Sequence, residues 1–176
     1  MFARNEKVVY PGHGVATVED IIEKTIGGST VKFLKLVFLF KDMTILVPTD
    51  NASAVGIRPL SSAEYINDIF KLLSQPVMAK QLDAAVSNWN KRNKEYQGKL
   101  RSGNLLELCA IYRDLRHIEG NKELSFGEKS LLQQTERLLI EEIAIVTKVD
   151  VADAAQQLKE LVGYKVKQTN ESALVR

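Results

Sequence analysis

The sequence predicts an α+β fold in two modules: a five-stranded SH3- or Tudor-like β-barrel over residues 1–60, then an all-α module over residues 61–163, with 164–176 as a disordered tail. Three observations predict it. Up to Arg58 the apolar residues come in short β-branched and aromatic runs broken by turn residues, the pattern of strands in hairpins. Beyond Pro59 they recur at helical spacing behind Ser, Asn and Asp caps, the pattern of amphipathic helices. The length, 176 residues with 45% apolar content, suits two small domains that each bury a core.

Taken in order, Lys7 to Tyr10 is the first strand and Pro11-Gly12-His13-Gly14 its turn. Val15 to Glu23 and Thr30 to Phe40 follow around Gly27-Gly28, then Met43 to Val47 after Lys41-Asp42, and a short fifth run at Val55 to Ile57 after Pro48-Thr49-Asp50-Asn51. The third run is too continuously apolar for a half-solvated strand, so parts of both its faces should be covered. In the helical module, Ser61 with Glu64 reads as a capping box for Ala63 to Leu73, which Ser74-Gln75-Pro76 ends. Val77 to Val86 is a short helical piece, and Ser87 or Asn88 caps Trp89 to Arg101, closed by Ser102-Gly103. Asn104 caps Leu105 to Ile118, Ser125 with Glu128 forms a capping box for a long helix through Val146, and Asp150 caps Val151 to Val162.

Charge and composition narrow the function classes. The chain nets only +2, yet residues 86–117 carry seven cations against three acids. The lone Cys109 has no partner for a disulfide or a zinc knuckle, and no apolar run approaches the roughly 20 residues of a membrane span, so a soluble protein of the reducing cytoplasm is expected. No phosphate loop, Cys-x-x-Cys or nucleophile elbow is present. His13 and His117 fall in different modules, while Glu19, Asp42 and Asp50 read as strand and turn residues. Cys109 shares a helical face with Leu105, Leu108 and Tyr112 and reads as a buried thiol. No enzyme, metal, cofactor or small-molecule ligand is expected.

The most informative stretch is Ser87 to Arg101, with the chain's only tryptophan, Trp89, and the cations Lys91, Arg92, Lys94, Lys99 and Arg101 against the single acid Glu95. Two readings stand. Cations that hold phosphates around a ring that stacks on or wedges between bases make a nucleic-acid surface, and Asn88, Asn90 and Asn93 add polar groups for phosphates or base edges. Alternatively, Trp89, Tyr96 and Leu100 lie within roughly 40° on a helical wheel of 100° per residue, the stripe of a helix that buries its aromatics and solvates its cations.

Val8-Val9-Tyr10-Pro11-Gly12-His13-Gly14-Val15-Ala16, with Val47-Pro48, Asn51-Ala52 and Gly56-Ile57-Arg58, resembles the polymerase-interacting module of the bacterial CarD/CdnL transcription regulators, a module with a relative in transcription-repair coupling factor. Trp89 with Lys91-Arg92, Ser102-Gly103-Asn104, Arg113-Asp114-Leu115 and Leu124-Ser125-Phe126-Gly127-Glu128-Lys129 resembles the family's helical module, in the same order. The resemblance runs from about Asn5 to Val146. It implies a β module bound to the β subunit of RNA polymerase through Lys24 and the strand Thr44, Ile45, Leu46 and Val47. It also implies a helical module on promoter DNA through Trp89, Lys91, Arg92, Lys94 and Lys129, with the tryptophan a minor-groove wedge at the upstream edge of the bubble that stabilises the open complex. Leu46 stands where relatives often carry arginine, and Asn93 where a larger aromatic is frequent; the ring of Tyr96 is the candidate substitute for the latter. The alternative is a protein-protein adaptor that uses the barrel alone.

Overall fold

The computed structural model describes residues 1–76 and 88–173, with side chains described through residue 162; the helical piece expected at Val77 to Val86 lies outside the described residues. The chain divides into two compact units, Met1–Leu60 and Ser61–Arg176.

The first unit is one antiparallel sheet of five strands: β1 (Lys7–Tyr10), β2 (Gly14–Ile26), β3 (Ser29–Phe38), β4 (Thr44–Pro48) and β5 (Arg58–Pro59), in the order β4-β3-β2-β1-β5. Alternation sets what it buries. Leu34, Leu36 and Phe38 point inward from β3 and meet Val8, Val18 and Val47, while Phe33 and Val37 on the opposite face are only half-buried. Continuous apolarity in this run thus reflects one buried face and one half-covered face. The run also overshoots the strand, since β3 ends at Phe38 and leaves Leu39 and Phe40 exposed at 40% and 37%. The β1–β2 turn takes Gly12 and Gly14 to φ 73° and 107°, where a Cβ would be strained, which is why both positions are glycine.

The fifth strand starts three residues later than the expected Val55 to Ile57, at Arg58. Thr49–Asn51 forms a 3-10 turn and Ala52–Val55 a short helix (α1), which Gly56 closes at φ 84° while donating to the Ala52 and Ser53 carbonyls. Only after that closure can the chain extend, and Pro59, which lacks an N–H for a ladder, is tolerated because β5 is an edge.

The second unit is helical: α2 (Ala63–Leu73), α3 (Trp89–Ser102), α4 (Leu105–Asn121), α5 (Phe126–Thr147) and α6 (Val151–Ala173). Its core joins Ile66 and Ile69 of α2, Ile111 and Leu115 of α4, and Leu139 and Ile143 of α5, none of them more than 0% exposed. Each such side chain contributes about 1.5–3 kcal/mol of burial.

Two expectations are corrected in this unit. Ser62, not Ser61, caps α2, accepting from the Tyr65 N–H at 3.1 Å. The Ser61 N–H and hydroxyl instead donate to the buried Glu142 carboxyl group at 2.9 and 2.8 Å, because a polar group deep in a core must be hydrogen-bonded. The last helix runs on to Ala173 through the expected tail, since Gly163 alone costs a helix only about 1 kcal/mol and no proline follows it. Among the described residues no helix is long and apolar enough to cross a membrane.

Candidate nucleic-acid interface

The start of α3 is made by Asn88, whose side chain accepts from the Asn90 N–H at 3.0 Å. Trp89 is then the first helical residue and Lys91 the third, with no acid in the first turn. The buried face of α3 is Arg92, Tyr96 and Leu100, one turn apart each. Trp89 lies off the end of that stripe and is half-buried, packed against the edge of the core.

What it packs on is the start of α5. An ideal Cβ on Gly127 would lie 3.0 Å from Trp89 Cζ2 and 3.4 Å from Cε2, so the indole rests against backbone that has no side chain. On either side of Gly127 stand Phe126, 89% exposed, and Glu128, 2% exposed. Glu128 closes the capping box, its Oε2 accepting from the Ser125 N–H at 2.9 Å. Its Oε1 accepts from Arg92 Nη2 at 3.0 Å and lies 3.6 Å from Lys122 Nζ. Burial alone would raise the Glu128 carboxyl, but the Ser125 amide with Arg92 and Lys122 more than offset it and hold the group below the usual range. The Arg92 guanidinium sits 5.7 Å from the indole centroid, in cation–π range.

The sequence-derived residues therefore divide. Lys91 and Lys94 are exposed on α3, and neither forms an ion pair among the described residues. Lys129 stands in the first turn of α5, in an ion pair with the well-exposed Glu123 at 3.0 Å. Arg92, expected on the surface, is 6% exposed and committed to Glu128, because the i−4 position from Tyr96 continues the buried stripe. Tyr96 is 4% exposed, so its ring does not substitute on the surface for an aromatic at Asn93; burial and then Asp114, whose Oδ2 accepts from the hydroxyl at 3.4 Å, push the phenol up to about 12. Cys109 is a buried thiol that burial pushes up to about 12.

Phe126, Gly127 and Lys122 were not singled out by periodicity, since each matters through contacts between α3 and α5 rather than through spacing on its own helix. A capping box with a large apolar residue at its first helical position is the one local signal that points to Phe126. The starts of α3 and α5, which touch where Trp89 meets Gly127, thus carry a half-buried and an exposed aromatic, Trp89 and Phe126, and the exposed Lys91, Lys94 and Lys129, with Lys122 just before α5.

In the β unit, Thr44 and Leu46 are exposed, Ile45 is half-buried and Val47 is buried, along an edge strand that pairs only with β3. Leu46 shares a rung with Lys35 and Asp20. Lys24 is exposed on β2, two residues beyond Ile22, the last rung that extends through Phe33 to Pro48 of β4. The two candidate contacts thus lie on one sheet face but are not neighbours.

Comparison with known proteins agrees with both halves. The family model for the CarD-like/TRCF RID domain matches residues 2–61, and that for the CarD C-terminal domain matches residues 68–159. YdeB of Bacillus subtilis (strain 168), described as a candidate transcription factor, is 25% identical over 146 residues, covering 83% of this chain and 92% of that protein. A sheet unit and a helical unit, each matched by its own model and in the same order, leave one assignment: the chain belongs to the CarD/CdnL family of transcription regulators.

Proposed function

We propose that this chain binds the β subunit of RNA polymerase through its sheet unit and promoter DNA through the starts of α3 and α5, stabilising the open promoter complex from the upstream edge of the bubble. The observation that carries the reading is the half-buried Trp89, supported on α5, at a helix start that also carries the exposed Lys91 and Lys94, with exposed Lys129 in the first turn of α5. A wedge must be anchored on one side and accessible on the other, and cations around it supply the sequence-independent hold on phosphates. Arg92 enters as the residue that ties α3 to α5, not as a phosphate contact.

Four or so lysines hold DNA weakly and in a salt-sensitive way. Attachment to polymerase makes that engagement effectively intramolecular, so weak intrinsic affinity suffices. On the sheet unit, β4 has an open edge where a partner strand can add by backbone hydrogen bonds, which does not depend on the arginine that Leu46 replaces.

The test is the lifetime of an open promoter complex with full-length protein. Trp89→Ala should shorten it several-fold while polymerase binding is retained; an unchanged lifetime with polymerase still bound would instead favour the adaptor reading, which the contact of Trp89 with the core of its own unit supports.

A further inference from the structure

Gly127 is the second residue of α5 and has an ordinary helical backbone, since it is absent from the residues with positive φ. Nothing in its own conformation requires glycine, and alanine is the better helix former. What crowds a side chain there is Trp89, with three of its ring atoms within 3.6 Å of the place a Cβ would occupy, the nearest at 3.0 Å. Gly98, in the middle of α3, has nothing within 4 Å of the equivalent point. Gly98 and Gly127 thus differ in what lies beside them, open space at one and the indole at the other.

We infer that Gly127 is a positioning residue for Trp89: the missing side chain lets the indole lie down against the start of α5, where the Arg92–Glu128 pair beside it fixes the spacing of the two helices. This rests on the reading of Trp89 as the residue that engages DNA. The buried pair holds α3 to α5 at the level of the ring, with Arg92 Nη2 3.0 Å from Glu128 Oε1 and its guanidinium 5.7 Å from the indole centroid. With the two helix starts joined by that pair, a methyl group at 127 is met by the ring giving way by a few tenths of an ångström, and its free direction is outward. The seat thus sets the angle at which the ring leaves the surface, and a wedge acts through that angle.

The experiment uses the full chain, in which Trp89 is the only tryptophan and reports its own surroundings. Gly127→Ala and Gly98→Ala are compared with the unaltered protein by acrylamide quenching, by emission maximum and by thermal unfolding. Gly127→Ala should increase quenching and shift emission to the red while the protein stays folded; Gly98→Ala should change neither signal. With polymerase at a promoter, Gly127→Ala should shorten the open-complex lifetime several-fold and Gly98→Ala should leave it alone. Unchanged indole fluorescence in Gly127→Ala overturns the seat, as does an equal change in Gly98→Ala. A displaced indole with a normal lifetime overturns the link from ring angle to function if Trp89→Ala shortens the lifetime. If Trp89→Ala leaves the lifetime normal as well, the seat stands and it is the wedge reading that falls.

Discussion

The starts of α3 and α5 lie side by side and solve the same problem in opposite ways. Every helix begins with unpaired N–H groups and a positive end of its dipole, which an acid in the first turn offsets. The start of α5 is self-sufficient, with Ser125 and Glu128 satisfying each other's amides. The start of α3 has an Asn cap, no acid in its first turn, and Lys91 at the position that Glu128 occupies in α5. Its electrostatic complement is missing within the first turn, and the Glu128 carboxylate beside Arg92 is already engaged by Arg92, Lys122 and its own cap. One helix start is closed by its own cap and acid, and the other is left positive beside an aromatic ring, as the proposed phosphate contact would require.

The contrast can be broken most severely at the pair that joins the two starts. Arg92→Ala leaves Glu128 buried with Lys122 as its remaining cation at 3.6 Å. Removing one partner of a buried pair typically costs about 3–5 kcal/mol, so chemical denaturation should show a loss of that size. A loss below about 1 kcal/mol, the range of surface pairs, would mean that water reaches Glu128.

Acid should loosen the same junction. The folded Glu128 carboxyl lies below its unfolded value, so its contribution is complete above the unfolded pKa of about 4.3 and is lost as pH falls through the lower, folded one. Asp114, raised chiefly by its burial, works in the opposite direction, which makes the comparison with Glu128→Gln necessary. Glutamine keeps the capping geometry without the charge. Unfolding free energies followed between pH 3 and 7, a range of about four units around that value, should fall more steeply toward acid in the unaltered protein than in Glu128→Gln; parallel profiles would discount the ion pair.

The smallest expected effect sharpens the contrast most. Lys91→Glu gives α3 the acid its first turn lacks and should stabilise the protein by about 0.3–1 kcal/mol. The same change should weaken promoter engagement and lower the salt dependence of binding by at least the slope of about 0.9 that one phosphate contact carries. Greater stability with unaltered salt dependence would remove Lys91 from the interface.

Most of the fold could be read from local pattern. Strands β1 to β4 and the helices after Pro59 follow from turn residues and caps whose physics is confined to a few neighbours. Even Asn88, Asn104 and Ser125 cap the helices assigned to them. Two of the misreadings share one cause, a long-range partner. Ser61 is taken from its cap by Glu142, 81 residues away. Arg92 is taken from the surface by Glu128, 36 residues away, although its place one turn before Tyr96 on a buried stripe was visible in the spacing. For the site, the tryptophan and its lysines were legible as a charge cluster, whereas Gly127 and Phe126 acquire meaning only when α5 is laid against α3.

The open edge of β4 has a consequence for how the purified chain behaves. From Thr44 to Val47 the strand carries neither a charge nor a proline, and Leu46 is 38% exposed beside it. The opposite edge is short and ends in Pro59, which blunts it. Natural sheets discourage strand addition with lysines, prolines or bulges at their margins, and β4 has none before Pro48. A flank left receptive in this way is a colloidal liability: at high concentration, with nothing bound along it, this is where molecules of the chain would pair with one another, and short peptides that cover the strand should keep concentrated solutions clear.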